Sequence, residues 1–266
     1  MRAPTVRKFV ESGMAHEDAT QTGEQTVAIV RDGIEVRFAV VNATTRWRAQ
    51  TIMTKEPDTV AWIEEFTPDD LLVDIGANVG LYALCAAAFR RARVYAFEPE
   101  SQNYAVLNRN IHLNGLDDRV TAYCVALSDR SGFDLLYLSK LSAGSSRHSY
   151  GESVDHLLQP TDAAFRQGCY ATTLDSLVDE GVVPVPSRIK IDVDGIEHKV
   201  IDGATRTLSN PALRSVLVEL NTNLDEHWGV VDRMLEHGFG YSEDAAARAR
   251  RNDGPFKGTG NYVFRR

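Results

Sequence analysis

The sequence predicts an α/β fold built on a doubly wound, mostly parallel sheet, and three observations carry that prediction. From Leu71 onward, short apolar runs alternate with amphipathic helical stretches, the rhythm that lays helices on both faces of a parallel sheet. The first of these runs ends in a glycine loop, Asp74-Ile-Gly-Ala-Asn-Val-Gly80, at the strand-to-helix turn where such sheets place a ligand cradle. The composition, 266 residues with 43% hydrophobic and 25% charged, is that of a globular chain able to bury a sizeable core without staples.

Residues 1 to 24 are polar and lack a sustained period, which predicts a loose or variable leader. Thr26 to Val40 alternates apolar and polar positions on both sides of Asp32-Gly33, the strongest short signal for a β-hairpin. Val60, Ile63 and Phe66 recur at helical spacing over 56–66, ahead of a turn at Thr67-Pro68-Asp69-Asp70. Residues 25–66 thus read as a hairpin-and-helix unit in front of a main domain over 67–266. In that domain the pattern predicts strands at 71–76, 93–98, 120–127, 188–193 and 214–220, with helices at 79–90, 101–113, 196–208 and 225–237. Gly260 to Arg265 suits a closing strand, and 133–138 an extra one. Residues 139–170 read as an insertion beside the site, either a lid or acceptor-recognition segment or an ordinary surface loop.

Composition narrows the partners. A formal charge of -8 offers no general attraction for a polyphosphate, which argues against a nucleic-acid substrate. No run approaches the length of a membrane span. Cys85, Cys124 and Cys169 are odd in number and widely spaced, which fits a reducing, cytoplasmic setting, and Cys124 reads as core. Asn110 and Asn114 read as helix caps or ends, His198 and His227 as surface residues, and Trp47, Trp62 and Trp228 need no cofactor role.

The glycine loop selects among nucleotide-type cofactors by charge. Gly76 and Gly80 let the backbone turn tightly and a ligand approach without a Cβ in the way, and a helix starting near Val79 would aim free N–H groups at a carboxylate or phosphate. The spacing is Gly-x-x-x-Gly, not the dinucleotide Gly-x-Gly-x-x-Gly, and Asp74 stands where its charge would oppose a pyrophosphate. A sulfonium ligand bearing an ammonium group has the opposite preference, so S-adenosylmethionine is expected over NAD. The next strand ends in Phe97-Glu98-Pro99, where a carboxylate can accept both ribose hydroxyls of an adenosine.

The blocks DIGANVGLYAL, AFEPESQNYAVLNRNIHLN, VALSDRSG, TTLDSL and KIDVDGIEHKVIDGA, followed by VEL, resemble in this order the FkbM family of S-adenosylmethionine-dependent methyltransferases. The resemblance spans about Glu56 to Glu219, with weaker agreement at Asn261-Tyr262. It implies a seven-stranded class I methyltransferase (Rossmann-like) sheet and O-methylation of a hydroxyl, often on a sugar, polyketide or other secondary metabolite. It also implies that Asp74, Gly76, Asn78 and Gly80 hold the methionine part, that Glu98 binds the ribose, and that Asn103, Ala126, Leu127 and Ser128 surround the adenine. Asp194 departs from the glutamate common in the family's lysine, aspartate and glycine block, which leaves its role open.

Transfer to an alcohol calls for alignment and for a positioned base. Lys190 and Asp192 fall on one face at the end of the fourth strand, and Glu219 ends the neighbouring fifth. Asp192 reads as base or acceptor orienter and Glu219 as its support, with Lys190 either in the catalytic set or simply the ion-pair partner that fixes Asp192. Asp192, Asp194, Glu197 and Glu219 could also hold a divalent cation, though no metal is assigned. Glu197 has a second reading as a favourable acid at a helix N-terminus. A small-molecule or glycan acceptor is expected, and homo-oligomerisation is left open. The competing readings are a cofactor-binding module without turnover and, third, an NAD-dependent oxidoreductase.

Overall fold

A computed structural model describes residues 25–266 together with the two-residue strand β1 (Thr5–Val6); the rest of the expected leader lies outside the described residues. β2 (Thr26–Arg31) and β3 (Ile34–Ala39) pair antiparallel in the predicted register, Arg31 opposite Ile34, with Asp32 and Gly33 both at positive φ as a tight hairpin turn requires. α1 (Ala43–Lys55), absent from the sequence reading, is started by a reciprocal cap in which Asn42 and Thr45 satisfy each other's backbone N–H groups. α2 (Pro57–Glu64) follows with proline at its first position.

The main domain runs β4 (Leu71–Ile75), α3 (Leu81–Arg90), β5 (Arg93–Phe97), α4 (Ser101–Leu113) and β6 (Val120–Tyr123). Next come β7 (Ala126–Leu127), β8 (Gly132–Leu138), β9 (Ser149–Tyr150) and β10 (Phe165–Thr172). The second half holds α5 (Leu174–Asp179), β11 (Arg188–Ile191), α6 (Glu197–Asp202), α7 (Thr205–Ser209) and β12 (Ser215–Asn221), closed by α8 (Asp225–Glu236), α9 (Glu243–Ala249) and β13 (Thr259–Arg265).

The principal sheet has the order β13-β12-β11-β4-β5-β6, all parallel except β13. Six strands stand where seven were expected. The extra strand at 133–138 pairs instead with β10, from Gly132 opposite Ala171 to Leu138 opposite Phe165, in a second sheet of order β7-β10-β8-β9. After α8 the chain reads His-Gly-Phe-Gly-Tyr, too rich in glycine and too short of alternation for a strand, and it makes only an isolated bridge between Gly240 and Arg265. The insertion is correspondingly shorter than predicted, because Phe165–Thr172 is strand; glycine and glutamine within it blur the alternation that buries Cys169 and Ala171. The helix expected over 196–208 breaks at Gly203, where a Cβ would lie 2.0 Å from the Ser128 carbonyl oxygen.

Both faces of the principal sheet are covered. Leu72, Val94, Ala96 and Leu217 pack under α3, α4 and the hairpin, whereas Val73, Ile75, Ile189, Ile191 and Val218 pack under α6, α7 and α8. Asn110 and Asn114 stitch the hairpin to α4. The Asn110 side chain accepts from Ala39 N–H and donates to Val79 C=O, both at 2.8 Å, and Asn114, the α4 C-cap, does the same with both backbone groups of Arg37. Only Asn114 fulfils the expected role of ending a helix. Cys85 and Cys169 are buried, but Cys124 is exposed, since it lies just past β6 where burial ends.

Candidate active site

Strand order reverses between β4 and β11, and the crevice at their carboxyl ends is where a ligand enters an open α/β sheet. The loop after β4 is drawn tight against the loop after β11. A Cβ on Gly76 would sit 1.9 Å from the Asp192 carbonyl oxygen, and one on Gly80 would sit 2.3 Å from Leu107 Cδ1; both glycines also hold φ near +80°. Backbone closure at Gly76 and helix packing at Gly80 therefore each require glycine, and Gly76 also lines the cavity described below. The loop's N–H groups are spent as well: Gly76 and Ala77 donate to Phe97 C=O, Asn78 to Glu98, Val79 to the Asn78 side chain, and Gly80 to Ala77 C=O. The helix therefore begins at Leu81 with no free N–H groups over 76–80 to offer an anion.

A cavity of about 540 Å³ opens from this crevice. Its lining includes Gly76, Asn78, Glu98, Asn103 and Ala126, five of the residues assigned to the cofactor. Glu98 is buried, and its carboxylate accepts from Asn78 N–H at 2.7 Å, Glu100 N–H at 3.0 Å and the Asn103 amide at 3.4 Å. Burial raises its pKa to about 7. Oxygen lone pairs remain to accept ribose hydroxyls. Asn103 does more than border the adenine region, because its side chain accepts from Gly144 N–H at 2.6 Å and donates to Ser145 C=O at 3.1 Å. Asn78 donates to the same Ser145 carbonyl at 2.7 Å. Residues 142–147 of the insertion thus lie over the cofactor loop, tied on their other side to Asn42, to Arg48 and, through Arg147 N–H, to Asp194.

Charged groups gather where the loops after β4 and β11 meet. Lys190, fully buried, reaches Asp192 at 3.0 Å and Asp74 at 3.9 Å. Burial works against the Asp192 carboxylate, yet Lys190 and Lys55 outweigh it and hold its pKa below the ordinary value. Glu219 borders the same cavity and pairs with Arg251 at 3.1 Å; burial, reinforced by Asp192 and Glu56, pushes its carboxyl well above the ordinary range. Asp192 and Glu219 thus line one cavity, with their pKa values pushed in opposite directions.

Asp74 lies on a smaller cavity of about 40 Å³ beside the first, lined also by Arg48, Lys55, Glu56, Tyr82 and Lys190. Its Oδ1 is buried without a hydrogen-bond partner, and burial raises its pKa to about 6. A buried acceptor of this kind is costly unless something donates to it, and an ammonium group fits. With Glu98 on the wall of the larger cavity, the residues present suit S-adenosylmethionine.

Gly80 and Ser128 are not on the cavity wall; Ser128 packs its carbonyl against Gly203 and its hydroxyl against Asp129. Glu197 turns away and accepts from Val193 and Gly195 N–H, so the four-carboxylate cluster does not assemble, and no group of three metal-ligating side chains occurs among the described residues. His227, expected at the surface, is buried: its Nδ1 accepts from Asn221 N–H at 2.7 Å, which places the ring proton on Nε2 toward Gly195 C=O and Glu197. It fastens the 193–197 loop to the end of β12. Asp194 adopts φ +61°, and burial beside Asp192 raises its pKa to about 7. The sequence reading missed Arg48, Lys55, Glu56, Arg251 and Phe256 and gave Trp47 no role, yet all line one of the two cavities. The Asn42-x-x-Thr45 cap was the one local signal that could have exposed α1, which carries three of them.

Residues 74–242 match the Methyltransferase FkbM domain family. The chain belongs to that family. Its cofactor is S-adenosylmethionine, and the dinucleotide alternative falls with this membership. Hexuronic acid methyltransferase AglP of Haloferax volcanii is 27% identical over 197 residues, 73% of each chain. The 31-O-demethyl-FK506 methyltransferase FkbM of Streptomyces tacrolimicus is 27% identical over 201 residues, 66% of this chain and 74% of that one. A solved FkbM methyltransferase from Methylobacillus flagellatus superposes with a TM-score of 0.52 at 14% identity, over 84% of this chain and 54% of that one, and shares the fold. No helix among the described residues is long and apolar enough to cross a membrane.

Proposed function

We propose that this FkbM-family protein methylates a hydroxyl oxygen on a sugar, glycan or secondary-metabolite acceptor. The observation that carries the reading is that Asp192 and Glu219 line the same cavity as Glu98 and as Gly76 and Asn78 of the cofactor loop. Bound there, the cofactor supplies a methyl group on a sulfonium centre. An alcohol that takes up a methyl group must lose its proton, and Asp192, kept ionised by Lys190, accepts it. A lowered pKa does not disqualify this carboxylate, because a hydroxyl becomes strongly acidic as its new bond to carbon forms. Glu219, whose carboxyl burial pushes toward its protonated form, orients the acceptor oxygen by a hydrogen bond. Trp47 and Phe256 offer flat apolar faces on the cavity wall for a ring to stack on.

Relatives named for hexuronic acid and for 31-O-demethyl-FK506 support an acceptor of this class. The charge of -8 supports a small molecule over a nucleic acid, and three free cysteines support a cytoplasmic setting. The test is Asp192→Asn, assayed for S-adenosylhomocysteine release against a panel of glycosides, uronic acids and polyketide alcohols. Calorimetric affinity for S-adenosylmethionine should change little, whereas turnover should fall by about 10²–10⁴. Undiminished turnover would remove Asp192 from the mechanism. A parent protein that binds the cofactor and turns over no acceptor would favour the non-catalytic module.

A further inference from the structure

The cofactor's methionine tail carries both an ammonium and a carboxylate, and the loop after β4 can serve only one of them. Asp74 presents an unpartnered buried oxygen to the small cavity, suited to the ammonium. The carboxylate has no such partner in the loop, because every N–H from Gly76 to Gly80 is already donated within the protein. Three cations border the small cavity. Lys190 is committed to Asp192 at 3.0 Å and lies 3.9 Å from Asp74, and Lys55 is committed to Glu56 at 2.8 Å. Arg48 has no carboxylate within 4.0 Å among the described residues. Among the described residues its side chain makes one hydrogen bond, from Nε to Gly144 C=O at 2.6 Å, which leaves its terminal nitrogens to bind an anion. Arg48 also borders the large cavity, so it stands where the two meet.

We propose that Arg48 binds the carboxylate of the methionine tail while Asp74 takes its ammonium, and that the same guanidinium, through Gly144, fastens residues 142–147 over the bound cofactor. This rests on the S-adenosylmethionine assignment. It makes α1 part of the cofactor site and couples the covering segment to the presence of the tail. Arg48 here is a binding and positioning residue; it moves no proton.

Three probes separate the carboxylate from the rest of the ligand: S-adenosylmethionine, decarboxylated S-adenosylmethionine, and 5′-methylthioadenosine, which lacks the whole amino-acid tail. Calorimetry on the full chain compares the parent with Arg48→Gln, which keeps an N–H donor for Gly144, and with Arg48→Lys. In Arg48→Gln the Kd for S-adenosylmethionine should rise by about 10- to 100-fold, as expected for loss of a charge-assisted hydrogen bond. The Kd values for the other two probes should stay within about twofold, which also establishes that the variant is folded. Arg48→Lys should recover part of the loss. Hydrogen exchange over 142–147 should slow when S-adenosylmethionine binds the parent, and slow less when it binds Arg48→Gln. A parallel loss for all three probes would mean that Arg48 only holds the covering segment, and an unchanged Kd for S-adenosylmethionine would mean that it serves another ligand; either overturns the proposal. If the parent bound none of the probes, the cofactor assignment itself would fail, and the proposal with it.

Discussion

Replacing Gly76 with alanine tests why the cofactor loop needs glycine. The residue holds φ +80°, and a Cβ there would lie 1.9 Å from the Asp192 carbonyl oxygen and 2.9 Å from its carbon. Both are backbone atoms, so no rotamer change relieves the overlap. Alanine in the left-handed region costs about 1–2 kcal/mol, overpacking adds about 1–3 kcal/mol, and the stiffer unfolded chain returns about 0.4–1 kcal/mol. The expected net loss is about 1–5 kcal/mol, which for a chain of this size lowers Tm by about 2–4 °C per kcal/mol. Gly33 is the control: it too holds φ +80°, but nothing lies within 4 Å of its added Cβ, so Gly33→Ala should lose no more than about 2 kcal/mol. Thermal and urea unfolding of both variants measure the difference, and calorimetry with S-adenosylmethionine reads the site. If Gly76→Ala unfolded no more easily than Gly33→Ala and lost only cofactor affinity, glycine would be there for the ligand and the backbone-closure argument would be wrong.

Three further outcomes are expected. Lys190→Met leaves the buried Asp74 without its cation, which should cost about 3–5 kcal/mol in urea unfolding; by removing the partner of the half-buried Asp192 it should also move the acid limb of the pH–rate profile upward, and an unmoved limb would show that Lys190 does not set the ionisation of Asp192. Glu98 has a folded pKa of about 7 against an ordinary 4.5, so the folded state holds a proton between those values that the unfolded state has lost. Its contribution to stability is therefore present below about pH 4.5 and lost as pH rises through 7, and Glu98→Gln should flatten that part of the stability profile; parallel profiles for parent and variant would contradict the shift. Asn110→Ala strands the Ala39 N–H and Val79 C=O, at about 1–3 kcal/mol for each buried group left unpaired, and should lower Tm while circular dichroism shows the fold retained. A neutral result would mean that water takes the place of the side chain.

The strands of the principal sheet were legible in the sequence because a parallel strand is buried on both faces and reads as an unbroken apolar run, as Leu71-Leu-Val and Ser215-Val-Leu-Val do. The hairpin was legible because Asp32-Gly33 sets its register locally. The glycine loop, Glu98 and the Lys190-x-Asp192 face were legible for the same reason: each is a short-range pattern of backbone and side-chain chemistry.

Sequence by itself thus determined the order of the main elements, the class of cofactor and one wall of the site. Tertiary structure decided whatever depends on parts of the chain that meet only on folding. It moved 133–138 into a second sheet, because Phe165–Thr172 was there to pair with it. It gave Gly76 to Asp192, Gly80 to Leu107 and Gly203 to Ser128, contacts between segments that no spacing rule connects. It buried His227, whose partners Asn221 and Gly195 come from the end of β12 and the loop after β11, and it brought Arg48, Glu56 and Arg251 to cavities whose other walls lie elsewhere in the chain. Hydrophobic periodicity is a local quantity and can be read along the chain, whereas an ion pair or a close backbone approach is a distance in space and exists only once the layers have packed.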